Sequence, residues 1–221
     1  MSQNSREKRF RLLLEGPKDE YFVQHLCNAH AIPRGSFAYV RSEGFPAILE
    51  DLAAGLKASE TEMIGMAIDA DQDTGSRWQS VRDHLVKLGF RNVPSTPGAD
   101  GTLVAGADDL PVYLGKRVAV WLMPDNTTQG MLEDFVFSLI PPDDDLWTMA
   151  ANAVAQIEPA KRRFGRTYSR KAEIHTWLAW QEYPGSSLGM AVTRRYFNSQ
   201  HSAALSFIRW LRAIFEIPEA G

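Results

Sequence analysis

Short apolar runs alternate with stretches of helical period over the first part of the chain. Arg9–Leu14 (RFRLLL) is rich in large aliphatic residues and stops at Glu15-Gly16-Pro17, which predicts a buried strand closed by a turn. Asp19 is placed to cap a following helix that puts Phe22, Val23, Leu26 and Cys27 on one face. Phe37–Val40 predicts a second strand, and Phe45–Leu56 a helix with Phe45, Ile48, Leu49 and Leu52 on its apolar face. Met63–Ile68 is a third strand ending at Asp69, followed by a helix over Gly75–Leu88. Val93–Tyr113, rich in Gly, Pro and Asp, predicts a hairpin or irregular excursion. Val118–Met123 is a fourth strand, and a helix runs from about Met131 to Leu139. Strands alternating with helices predict an α/β fold with a mostly parallel, Rossmann-like sheet. Beyond Pro141-Pro142 the pattern changes to helix alone, over Leu146–Ile157, Ala172–Tyr183 and Ala203–Phe215. The organisation expected is a sheet domain over 9–140 and a helical C-terminal extension over 146–221 packed on it.

Hydrophobic residues at 44% and charged residues at 23% are ordinary for a folded chain, so only the first eight residues and the last few are expected to be disordered. The single cysteine, Cys27, excludes an intrachain disulfide and a cysteine-rich metal site, and its apolar setting predicts a buried structural thiol. The polar N-terminus carries no apolar signal region and no run is long enough to span a membrane, so a cytoplasmic location is expected. The net charge of −3 hides an asymmetry. Residues 1–157 hold 14 basic and 22 acidic residues, a balance of −8, whereas residues 158–221 hold 10 and 5, a balance of +5. The basic part is suited to a phosphate backbone or to solvent alone.

The acidic residues sit where chemistry is expected. Glu15 follows the first strand, Asp69, Asp71 and Asp73 follow the third (IDADQD), and Asp125 follows the fourth. Glu133 and Asp134 enter from the first turn of the next helix. In an open parallel sheet the C-terminal strand ends share one rim, and ligands bind there. Asp69 and Asp71, if both stay extended, point to the same side. Two carboxylates about 4 Å apart repel by roughly 4 kcal/mol at an effective dielectric near 20. A cation among the oxygens, or protonation, relieves that repulsion. Oxygen ligands without His or Cys suit Mg²⁺ or Mn²⁺.

Two of these segments resemble the motifs of the Toprim superfamily, a Glu after the first strand and an Asp-x-Asp after a later one. LLLEGPKDE (Leu12–Glu20) is similar to the first, with Glu15 in the Glu position, and AIDADQD (Ala67–Asp73) to the second, with Asp69 and Asp71 in the Asp positions. VWLMPDNTTQGMLEDFV (Val120–Val136) looks like the third acidic element of a bacterial Toprim-related family. The likeness spans about residues 9–140 and extends more weakly over Ser169–Val192. It implies a Toprim-like fold around a divalent cation, with the small OLD-type nucleases as the nearest comparison. No P-loop is present, so an ATPase would be a separate partner.

The expected activity is a metal-dependent phosphodiesterase acting on nucleic acid, DNA ahead of RNA. One cation would be held by Glu15, Asp69 and Asp71, and a second by Asp19, Asp73 and Glu133. The catalytic residues expected are Glu15, Asp69 and Lys171, the last neutralising charge on the phosphate. Arg162, Arg163, Arg166 and Arg170 are expected along the backbone of the nucleic acid. Trp177, Trp180 and Tyr183 fit a core stripe better than a base-stacking one, and His175 fits a structural role better than proton transfer. Two competing classes are a non-catalytic metal- or nucleic-acid-binding subunit and a small-molecule phosphatase or phosphotransferase.

Overall fold

The structure is a computed structural model that describes residues 3–106 and 113–219. Residues 107–112 belong to the predicted excursion, so that part of the expectation, like residues 1–2 and 220–221, lies outside the described residues. Helix α1 (Gln3–Arg9) leads into β1 (Phe10–Leu14), α2 (Pro17–Ala29), β2 (Ala38–Arg41), α3 (Phe45–Lys57), β3 (Met63–Asp69) and α4 (Thr74–Lys87). Then come β4 (Thr102–Ala105), β5 (Arg117–Met123), α5 (Leu132–Ser138), α6 (Asp145–Ala155), α7 (Ser169–Ala179), α8 (Leu188–Thr193) and α9 (Ser202–Ile214).

The strands form one sheet in the order β2-β1-β3-β5-β4, parallel except for β4, which runs antiparallel to β5. The α/β class and the mostly parallel sheet read from the sequence are therefore observed. Both faces are covered, which is why Leu12–Leu14, Met63–Ile68 and Val118–Met123 are continuous apolar runs and not alternating ones. Successive side chains go to opposite faces. Leu12, Leu14, Ala67, Ala119 and Trp121 join one core, while Leu13, Met66, Ile68, Val118 and Val120 join the other. Helices α3 and α4 cover the second face through Ile48, Leu52, Trp78 and Leu85. Helices α2, α5, α7, α8 and α9 cover the first, so residues from both sides of position 146 share one hydrophobic core.

The last helix lies tight against the sheet at Gly65, where an added Cβ would stand 2.8 Å from Ile214 Cδ1 and 3.1 Å from Phe215 Cζ. Helix α8, absent from the sequence-based elements, packs on α2 through Gly189, whose Cβ would stand 2.8 Å from the Tyr21 carbonyl oxygen. Expected disorder in the first eight residues is corrected for residues 3–8: they form α1, and Arg6 donates to the Phe215 carbonyl at 2.5 Å. Asp19 is not the cap of α2; Gly16 occupies that position, Pro17 begins the helix, and Asp19 sits in its first turn. Cys27 is buried, which pushes its thiol up to about 12. Among the described residues no helix is long and apolar enough to cross a membrane.

Gly189→Val would force α8 off a backbone atom that cannot yield. The expected result is a loss of about 1–3 kcal/mol of stability, read as a lower urea midpoint with an unchanged slope. A midpoint equal to that of the unsubstituted protein would contradict this packing.

Candidate functional site

The strand order reverses between β1 and β3: the crossover from β1 leads outward to β2, and the next returns past β1 to β3. At such a switch point the flanking helices lie on opposite faces and leave a crevice beyond the strand ends. Glu15 immediately follows β1, and Asp69 is the last residue of β3. Their separation of 54 positions in sequence collapses to a direct contact, in which the Asp69 N–H donates to Glu15 Oε1 at 2.9 Å. The Leu132 N–H at the start of α5 donates to Asp69 Oδ1 at 2.9 Å.

Three further side chains complete the cluster. Asp19 rises from the first turn of α2 and folds back, so that a Cβ on Gly16 would stand 3.3 Å from its Oδ2. Glu133, 4% exposed in the first turn of α5, takes an ion pair from Lys171 Nζ at 2.9 Å. Lys171 comes from α7, in the C-terminal part of the chain. Burial raises the Asp69 pKa to about 8, reinforced by the charges of Glu15, Asp19 and Glu133 and opposed by the Leu132 hydrogen bond. Burial also raises Glu15 and Asp19; the Asp69 N–H opposes the shift at Glu15, and Lys171 helps oppose it at Asp19. For Lys171, burial works to lower the pKa, but Glu133 overrides it and the ammonium is held charged.

Glu15, Asp19, Asp69, Glu133 and Lys171 are thus brought together. Asp71 and Asp73 are placed differently from the expectation. Asp71 is not extended: its φ is 55°, its N–H donates to the Gly130 carbonyl at 2.8 Å, and its carboxylate pairs with Arg77. The two-residue period that would align it with Asp69 is broken there. Asp73 caps α4, accepting from the Gly75 N–H at 2.8 Å and the Ser76 hydroxyl at 2.8 Å, which holds its pKa down. It is exposed and its acceptor capacity is spent on the helix. Asp125 likewise closes its own turn on Thr127 and Thr128, and Asp134 accepts from the Met131 N–H at 2.9 Å.

The basic candidates divide in the same way. Arg163 and Arg166 are exposed. Arg170 is committed to the fold: it bonds Glu173 at 2.8 Å and its guanidinium stacks 3.7 Å from the Phe137 ring centre. Arg162 lies 5.6 Å from the Phe164 ring centre and reaches the Ile157 carbonyl at 3.5 Å. Trp177 is fully buried, as a core stripe requires, but Trp180 and Tyr183 are exposed; His175 is exposed as well.

Arg77 is the residue that sequence reading missed. It stacks 3.9 Å from the Phe45 ring centre, pairs with Asp71, and lowers the Glu15 pKa through its charge. Its position one turn into α4, after the acidic motif, was the available signal.

Hard oxygen donors in a buried, anionic crevice fit Mg²⁺ or Mn²⁺ by chemistry. Among the described residues, however, no three Asp, Glu, His or Cys side chains already surround one point. Backbone N–H groups, Lys171 and Arg77 take up oxygens that a cation would need.

The folded state holds the Asp69 proton up to about pH 8, whereas an unfolded chain releases it near about 3.9. Between those values the folded form binds the extra proton, so this group makes stability fall as pH rises. With divalent cations chelated, the wild-type urea midpoint is expected to drop between about pH 5 and about pH 8, and Asp69→Asn to flatten that drop. Parallel pH profiles for the two proteins would contradict the buried, proton-holding carboxyl.

No curated protein and no solved structure matches the chain. Residues 9–216 match the family described as "Protein of unknown function (DUF3226)", a range that spans the whole sheet and the C-terminal helices through α9. The chain belongs to the DUF3226 family.

Proposed function

We propose that this protein is a Toprim-like, divalent-metal-dependent phosphodiesterase that acts on nucleic acid in the cytoplasm. The observation that carries the reading is the convergence of Glu15, Asp19, Asp69 and Glu133 with Lys171 at the switch point of the sheet. Glu15 and Asp69, with Asp19 beside them, would hold Mg²⁺ or Mn²⁺. A cation bound there supplies Lewis-acid polarisation of a phosphoryl oxygen and lowers the pKa of a coordinated water. Lys171, positioned by Glu133, is set to neutralise charge developing on the phosphate. The raised carboxyl pKa values fit a site that exchanges protons for a cation: ionised oxygens there are costly until positive charge arrives.

A second reading, a binding subunit without catalysis that serves a separate ATPase, is favoured by one observation, the lack of three preassembled ligands among the described residues. The two readings part on cleavage. With Mn²⁺, the purified protein is expected to cut supercoiled plasmid or labelled oligonucleotide. Glu15→Gln and Asp69→Asn are each expected to lower the rate by about 100-fold or more, as loss of one electrostatic group in a catalytic site does. Binding without cleavage would support the subunit reading. Equal cleavage by wild type and both variants would assign the activity to a contaminant and refute the phosphodiesterase.

A further inference from the structure

The mouth of the carboxylate site carries an exposed aromatic ring that lies outside the core and beside Lys171. Tyr168 ends a single 3-10 turn, Arg166–Tyr168, and is 51% exposed. Its ring centre lies 5.6 Å from Lys171 Nζ, which itself lies 2.9 Å from Glu133. The turn is tied to the opposite lip of the crevice as well. Gln72 Nε2 donates to Thr167 Oγ1 at 3.4 Å, and Gln72 follows Asp71 in the acidic motif. Arg166 on this turn and Arg163 just before it are exposed, and among the described residues neither has an ion-pair partner. The ring therefore lies beside the ammonium that pairs with Glu133, on a turn that also carries the exposed Arg166. Arg194 lies closer over the Tyr183 ring, at 4.2 Å, than Lys171 does over that of Tyr168.

We propose that Tyr168 is a base-stacking platform and that the site takes single-stranded nucleic acid. The proposal rests on the phosphodiesterase reading and deepens it. Inside a duplex both faces of a base are covered by its neighbours, so an aromatic side chain reaches a base face only where the strand is unpaired or frayed. A base laid on Tyr168 would bring an adjoining phosphate toward Lys171, with the exposed Arg166 on the same turn. Stacking tolerates any base, so recognition would be of strand state and not of sequence. Stacking on the ring face does not involve the sugar, so DNA and RNA single strands share the chemistry.

The test is fluorescence anisotropy with Ca²⁺ in place of Mg²⁺, using labelled oligo-dT, oligo-U and a random-sequence duplex, each about 20 nucleotides long, beyond a site of roughly 4–16. Single strands are expected to bind at least about tenfold tighter than the duplex, and Tyr168→Ala to weaken them by about 10- to 100-fold. Tyr168→Trp is expected to retain binding, and duplex binding to stay unchanged in both variants. Binding of oligo-dT and of oligo-U is expected to be weakened alike by Tyr168→Ala, because stacking takes either strand. Single-strand binding unaltered by Tyr168→Ala, lost equally in Tyr168→Trp, or no tighter than duplex binding, overturns the inference and leaves the phosphodiesterase reading standing. No binding of any of the three probes removes that reading and the inference together.

Discussion

A carboxylate withdrawn from water needs hydrogen-bond donors or a cation, and one rim of this sheet is organised around that requirement. The Asp69 N–H supports Glu15, and the Leu132 N–H supports Asp69. These two bonds tie the end of β1 to the end of β3, and the end of β3 to the start of α5. They arise where the strand order reverses, because only there do flanking helices part and leave backbone N–H groups facing a crevice. The support is partial: burial still raises the pKa of Glu15, Asp19 and Asp69. Positive charge is favoured at this rim, and Lys171 supplies it beside Glu133.

The C-terminal helices serve that rim as well as the core. α9 closes one face of the sheet through the gap at Gly65, and α8 clamps α2, the helix that carries Asp19. α7 delivers Lys171 to Glu133 while its Trp177 is buried in the shared core. Packing and electrostatics are thus coupled: the residue that balances the acidic crevice is held by the same helix that seals the sheet. The basic excess of this part of the chain is correspondingly divided. Arg170 is committed to Glu173 and the Phe137 ring, while Arg163 and Arg166 remain exposed at the surface.

Much of the fold was legible because burial on both faces leaves an unmistakable trace. The triple leucine of RFRLLL, MIGMAI and VAVWLM are continuous apolar runs, and the helices between them carry clear apolar faces. The short antiparallel β4 and helix α8 were illegible. Four residues at a sheet edge and six residues of helix carry too little periodicity, and their placement depends on partners distant in the chain.

By itself the sequence determined that apolar strands end in acidic residues and that those ends share one rim, since a parallel sheet aligns its C-terminal ends. This is why Glu15 and Asp69 were identifiable before any coordinates, with Glu133 added from the first turn of the helix after the fourth predicted strand. Tertiary structure alone decided which oxygens face inward. Asp71 and Asp73 sit in the same acidic motif as Asp69, yet a left-handed backbone at Asp71 turns one toward Arg77 and the start of α4 claims the other as its cap. Spacing along a chain specifies the direction of a side chain only while the backbone repeats regularly. Where a strand becomes a turn that regularity ends, and the nearest donor decides where the carboxylate goes.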